Sequence, residues 1–176
     1  MKKIKMICMA LLAIVCLASC RGPAGRDGRD GNANVVSSTL TVRSSDWYWQ
    51  PCYDNTDAYG SWRVDIDYDA ITNNIYDFGA VLVYMEVDRT WRQVPMTYFY
   101  EDVVDENICQ FASTLEVSYY NKGVSIFWTE SDLMNIGAPA EHRFKIVAIE
   151  AAYYNAHRNI DYSNYEQVKE VLQLAD

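Results

Sequence analysis

Between Trp62 and Tyr68 the chain alternates without a break. Trp62, Val64, Ile66 and Tyr68 fall on one side, and Arg63, Asp65 and Asp67 on the other. Successive side chains of a strand point to opposite faces, so this segment has one face to bury and one to wet. Such a strand needs a sheet with a dry side. The same test gives further strands. Val36 to Val42 alternates, with Val36, Ser38, Leu40 and Val42 on one face. Ala80 to Val87 is a near-continuous apolar run, which predicts a central strand. Trp91 to Tyr100 alternates more loosely, with Pro95 at a bulge or edge position. Phe111, Ser113, Leu115, Val117 and Tyr119 oppose Glu116 and Ser118. Asn121-Lys122-Gly123 reads as a hairpin turn with Gly at positive φ, and Val124 to Thr129 returns. Phe144 to Ile149 is the last clear strand. About seven short strands, rich in aromatic and β-branched residues, predict an all-β fold: an antiparallel β-sandwich of Ig-like type.

Two short helices interrupt the strands. Ile71, Ile75 and Phe78 fall at helical spacing, and Gly79 is placed to end that helix. Near the C-terminus Ser163 and Glu166 have the spacing of a capping box. Tyr165, Val168, Val171 and Leu172 then form one apolar stripe, expected to pack on a sheet face or close an end of the sandwich.

The first residues obey a different rule. Lys2, Lys3 and Lys5 precede an uncharged apolar run from Met6 to Cys16, and small residues follow. This is the pattern of a secretory leader, and the run is short for a membrane span. Leu17-Ala18-Ser19-Cys20 resembles the bacterial lipobox. That resemblance implies cleavage before Cys20, diacylation of its thiol and acylation of the new amino group. Two or more acyl chains hold a protein to a membrane durably. Glycine then recurs at 22, 25, 28 and 31, the Gly-X-Y period of collagen. So few triplets serve as a flexible tether, with a trimerising stub as the alternative. The expected organisation is a leader over 1–19, a lipidated cysteine and tether over 20–33, and one β-sandwich domain over 34–176.

The lipobox, the glycine triplets, the Asn34-Val35 strand start and Ser45-Asp46-Trp47 resemble small envelope lipoproteins of Bacteroidota. Ile71-Thr72, the run Gly79 to Tyr84 and the closing Tyr165-Glu166-Gln167-Val168-Lys169 are also similar to theirs. The resemblance implies a lipid-anchored protein of the bacterial cell envelope, at an outer membrane, on its periplasmic face or at the cell surface. It brings no activity and no binding residues with it. Acidic residues just after the lipidated cysteine are associated with surface export in such bacteria. Arg21-Gly22-Pro23-Ala24 stands there instead.

The chain carries a formal charge of −9, and loss of the three leader lysines makes it more negative. An acidic surface repels phosphate backbones, so nucleic acid is a poor partner and none is expected. Of five cysteines, Cys8 and Cys16 leave with the leader and Cys20 takes the lipid. Cys52 and Cys109 remain, as a disulfide in an oxidising compartment or as two separate thiols. A bridge would contribute roughly 4 kcal/mol through chain entropy.

Signals for chemistry are sparse. Asp65, Asp67 and Asp69 could open a calcium loop, but Ala70 and Tyr76 stand where an EF-hand needs Gly and Glu. They read more simply as the wet face of a strand, so no metal is expected. His142 and His157 are the only histidines and have no zinc-site spacing. No nucleophile elbow or phosphate loop is present, so neither an enzyme nor a cofactor is expected. Trp47 and Trp49 share one parity beside Asp46 and Gln50, and Tyr48 takes the other. Flat rings beside hydrogen-bonding groups suit a glycan or peptide platform, while the alternative places them in the core. The expected function is a non-catalytic binding or assembly module on a lipid anchor, with glycan binding and an envelope hydrolase as alternatives. Expected partners are the membrane, through the anchor, and a glycan or envelope protein.

Overall fold

The computed structural model describes residues 34–52, 59–104 and 106–174. The leader, Cys20 and the glycine triplets lie outside the described residues. Within them, nine strands form two antiparallel sheets. One sheet has the order β1 (Val35–Val42), β9 (His142–Ile149), β4 (Ala80–Val87), β5 (Thr90–Val94). The other has the order β2 (Tyr48–Pro51), β3 (Gly60–Asp67), β8 (Gly123–Glu130), β7 (Asn107–Tyr120), β6 (Met96–Val104). The fold is the all-β sandwich that the alternation predicts.

The count of strands exceeds the expectation for two local reasons. Tyr48–Pro51, absent from the expected strands, pairs with β3 as a short edge strand. Trp91 to Tyr100 is two strands, not one. Proline has no N–H to give to a ladder, and at Pro95 the chain leaves the first sheet and enters the second. β5 and β6 are both edge strands, which is where proline is tolerated.

The apolar run of β4 is explained by burial on both faces. Val83 and Met85 enter the core between the sheets, whereas Leu82 and Tyr84 enter a second core under the helices. β9 divides the same way, with Phe144, Ile146 and Ala148 inward and Val147 and Ile149 toward the helices. The helices are α1 (Asn73–Phe78), α2 (Ala151–Ala156) and α3 (Tyr165–Leu172). The stripe of α3 packs on the outer face of the four-stranded sheet through Tyr165, Val168 and Leu172. Full burial of an aliphatic side chain such as Leu172 contributes about 1.5–3 kcal/mol.

Some local expectations shift by a residue. The cap of α3 is Asn164, whose side chain accepts from the Gln167 N–H at 3.3 Å. Ser163 instead donates to Asp161 Oδ1 at 2.6 Å. Thr72 caps α1, so Ile71 lies ahead of the helix, fully buried, and Phe78 is exposed. Gly79 does end α1, its N–H bonding the Ile75 carbonyl, and a Cβ there would meet the Ile149 carbonyl oxygen at 2.3 Å. In the β7–β8 turn Lys122 takes the positive φ, of 67°, in place of Gly123. The Tyr120 ring lies over Gly123, where a Cβ would displace it. In β1, Leu40 and Val42 join the core between the sheets, but Val36 is exposed and Val35 is buried under the helices.

Candidate functional site

The two outer sheet faces differ. Helices α2 and α3 cover the four-stranded sheet. The outward side chains of the five-stranded sheet belong to neither core. Pairing register places Tyr48, Arg63, Phe127 and Glu116 in one row across β2, β3, β8 and β7. Asp65, Ser125 and Ser118 form the next row.

Within these rows one carboxylate gathers the donors. Tyr48 donates its hydroxyl to Asp65 Oδ2 at 2.5 Å, and Ser125 donates to Asp65 Oδ1 at 2.5 Å. Arg63 donates from Nε to the same Oδ1 at 2.8 Å, with Nη2 also at 2.8 Å. Arg63 Nη2 also donates to Ser125 Oγ at 3.1 Å, and Nη1 reaches Gln50 Oε1 at 3.5 Å. The guanidinium carbon lies 5.9 Å from the Tyr48 ring centroid and 5.3 Å from that of Phe127. The cation is thus held between two aromatic faces.

Electrostatics follow from this packing. Partial burial works against charge on Asp65, but the bonds from Ser125, Tyr48 and Arg63 and the guanidinium charge outweigh it. They hold the carboxyl below its ordinary value. Burial, then the bond to Asp65, raises the Tyr48 hydroxyl, so it stays a donor through neutral pH. The Arg63 and Asp65 side chains are 30% and 37% exposed, so their ion pair contributes less than about 1 kcal/mol. The network therefore matters for geometry more than for stability. It fixes a carboxylate, a guanidinium, an amide and two rings on one accessible surface.

Trp47 and Trp49 are not on that surface. Trp47 is 5% exposed and sits in the core between the sheets, with its ring 6.3 Å from Trp128 and 6.4 Å from Phe144. Trp49 is half-buried against Trp62 at 5.4 Å. The core alternative holds for Trp47, and the exposed aromatic of the trio is Tyr48. The parity signal that separates Tyr48 from its neighbours also puts Arg63 and Asp65 on the wet face of β3. Those two correspondences are the signal for this site, and the tryptophans drew attention to the wrong side.

Cys52 and Cys109 are free thiols. Cys52 follows the end of β2, and Cys109 lies on β7 opposite Asp102, beyond the reach of β8. Of the aspartate row, Asp65 is taken by Arg63, Tyr48 and Ser125, and Asp69 lies 3.7 Å from Lys122. Among the described residues no cluster of His, Cys, Asp and Glu is placed to hold a metal ion.

A second carboxylate cluster is structural. Glu130 is buried at the end of β8 and accepts from Ser113, from Tyr100 at 2.9 Å and from Trp128 Nε1 at 3.0 Å. His142 stacks on Trp128 at 5.1 Å, and burial lowers its pKa. Glu130 is 6% exposed and both its oxygens are bonded by its own neighbours, so the cluster is closed to solvent. Tyr153, Tyr154, Tyr162 and Tyr165 pack the helical layer, where Tyr84 donates to the Tyr162 carbonyl at 2.8 Å.

No helix of the described residues is long and apolar enough to cross a membrane. No protein-family model, curated protein or solved structure matches the chain.

Proposed function

We propose that the chain is a lipid-anchored protein of the bacterial cell envelope whose sandwich is a non-catalytic binding module for glycans. The observation that carries the binding role is the Tyr48–Asp65–Arg63 network on the uncovered sheet face. Sugars present hydroxyl pairs that are donors and acceptors at once, together with weakly polar C–H faces. The lone pair that Asp65 Oδ2 keeps beside its bond from Tyr48, and the Arg63 Nη1 edge toward Gln50, answer the hydroxyls, and the Tyr48 and Phe127 rings answer the C–H faces. Because the groups are held before any ligand arrives, little side-chain entropy is lost on binding. The leader pattern and Cys20 support the anchor, and the glycine triplets support a tether between lipid and domain.

Affinity electrophoresis through gels containing neutral polysaccharides (β-glucan, mannan, xylan) tests the reading. The protein is expected to be retarded by at least one of them, and Tyr48→Ala and Asp65→Ala to migrate freely. Equal migration of wild type and variants in every gel would refute glycan binding at this face.

A further inference from the structure

One end of the sandwich is set apart by where the chain enters it. Val35 opens β1 opposite Ile149, Ile149 also pairs with Ala80, and α1 comes just before Ala80. Tyr68 ties this end to the β7–β8 turn. Its hydroxyl donates to the Val36 carbonyl at 3.3 Å, and its N–H donates to the Lys122 carbonyl at 2.8 Å. The Lys122 N–H in turn donates to the Ile71 carbonyl at 2.9 Å. The entry point, α1 and the β7–β8 turn therefore share one end. Large apolar side chains are exposed there: Phe78 at 68%, Tyr76 at 47%, Val36 at 46% and Tyr119 at 36%. The Tyr76 and Tyr119 rings meet edge to face at 6.1 Å. Val36 and Tyr119 keep the parity of the core-facing Leu40 and Val117, but they reach past the core into solvent.

We infer that this end rests on the membrane surface, with Phe78 and Tyr76 seated at the level of the lipid headgroups. The inference rests on the lipid anchor proposed above and not on glycan binding. With the lipid on Cys20, residues 20–33 join it to Asn34 and span at most about 50 Å. The end that the chain enters is then the end held closest to the bilayer. A surface tethered in this way meets its target at an effective concentration on the order of millimolar, so a small patch suffices. Rings with an apolar body and a wet tip, such as Tyr76 and Tyr119, suit the boundary between lipid and water. Asp67, Asp69 and Asp77 stand at the same end, so the fit is to headgroups without net charge, and anionic ones are repelled. The opposite end supplies a control. β8 reaches along β7 only to Ser113, so Asn107–Ala112 pairs with β6 alone as a projecting arm. Ile108 on that arm lies about 40 Å along the strand from Tyr120.

Fluorescence quenching in the full-length lipoprotein, carrying Cys52→Ser and Cys109→Ser, tests it. The protein is reconstituted in phosphatidylcholine vesicles whose acyl chains carry a nitroxide close to the headgroup. A fluorophore is attached at Asn121→Cys in the β7–β8 turn or at Ile108→Cys on the arm. The Asn121 label is expected to lose intensity to the nitroxide, and the Ile108 label to keep it. Adding Tyr76→Ser and Phe78→Ser is expected to restore most of the Asn121 intensity while the protein still floats with the vesicles. Both side chains are exposed, so their loss leaves the core intact. Equal quenching at the two positions, or quenching unchanged by the serine pair, in protein that floats would overturn the inference and leave the anchor standing. A parent protein that fails to float would remove the anchor, and the inference with it.

Discussion

Two adjacent residues with similar rings have opposite fates here. Trp47 faces the core and Tyr48 faces solvent, because the chain reverses side at every position. Trp47→Ala is expected to lose about 3–5 kcal/mol in denaturant unfolding, the range for large aromatics in cores. Tyr48→Ala, on the surface, should change stability by no more than about 1 kcal/mol. Equal losses would contradict the opposed placement. Asp65 adds a pH signature. Its folded-state pKa is depressed, so its network contributes stability above the ordinary carboxylate range, and that contribution is lost as pH falls through the folded value. Unfolding titrations below about pH 4 should show a shallower decline for Asp65→Asn than for wild type. Parity alone made this half of the site legible. The cross-strand neighbours Ser125 and Phe127 were not, because register between strands distant in sequence is set by packing and turns.

At the scale of elements, the periodic segments were the readable ones. β3, β4, β7, β8 and β9 follow their apolar patterns closely, since burial on one or both faces leaves a repeat in the sequence. The edge strand β2 and the split at Pro95 left weaker traces, because few residues there are buried. Lys145 shows how the helical layer overrides local pattern. It lies on the helix-facing side of β9, 2% exposed, with Nζ 2.5 Å from the Tyr165 hydroxyl. Its ammonium stands 5.0 Å from the ring centroids of both Trp91 and Tyr165. Burial, then the charges of Lys169 and Arg143, lowers its pKa. Burying the charged form opposes folding at neutral pH, and this penalty lifts only as pH rises from the folded value toward the ordinary lysine range. Lys145→Met keeps the stem that packs on the rings and removes the charge. It is expected to stay within about 1.5 kcal/mol of wild type or to exceed it. Lys145→Ala leaves a cavity and should lose about 2–5 kcal/mol. Thermal or denaturant unfolding of the pair checks this, and a Met variant as unstable as the Ala variant would show that the charge itself is needed.

At the scale of the whole molecule, three layers divide the labour. Helices α2 and α3 seal one sheet, the two sheets share the main core, and the second sheet is left open. The proposed anchor comes from the other end of the account, a leader and Cys20 whose pattern is read from sequence. In a bacterial host, Cys20→Ala is expected to move the protein from the membrane pellet to the soluble fraction or to leave the leader uncut. A variant that matures and sediments like wild type would remove the lipid from the account. The claim that matters most is that the open sheet face is where ligand sits. Hydroxyl-radical footprinting of the protein with and without a polysaccharide that retards it reads that face directly. Tyr48 and Phe127 are predicted to be protected while Ile108, remote on the β6–β7 arm, oxidises as before. Unchanged oxidation of Tyr48 and Phe127, with protection appearing elsewhere on the surface, would contradict it.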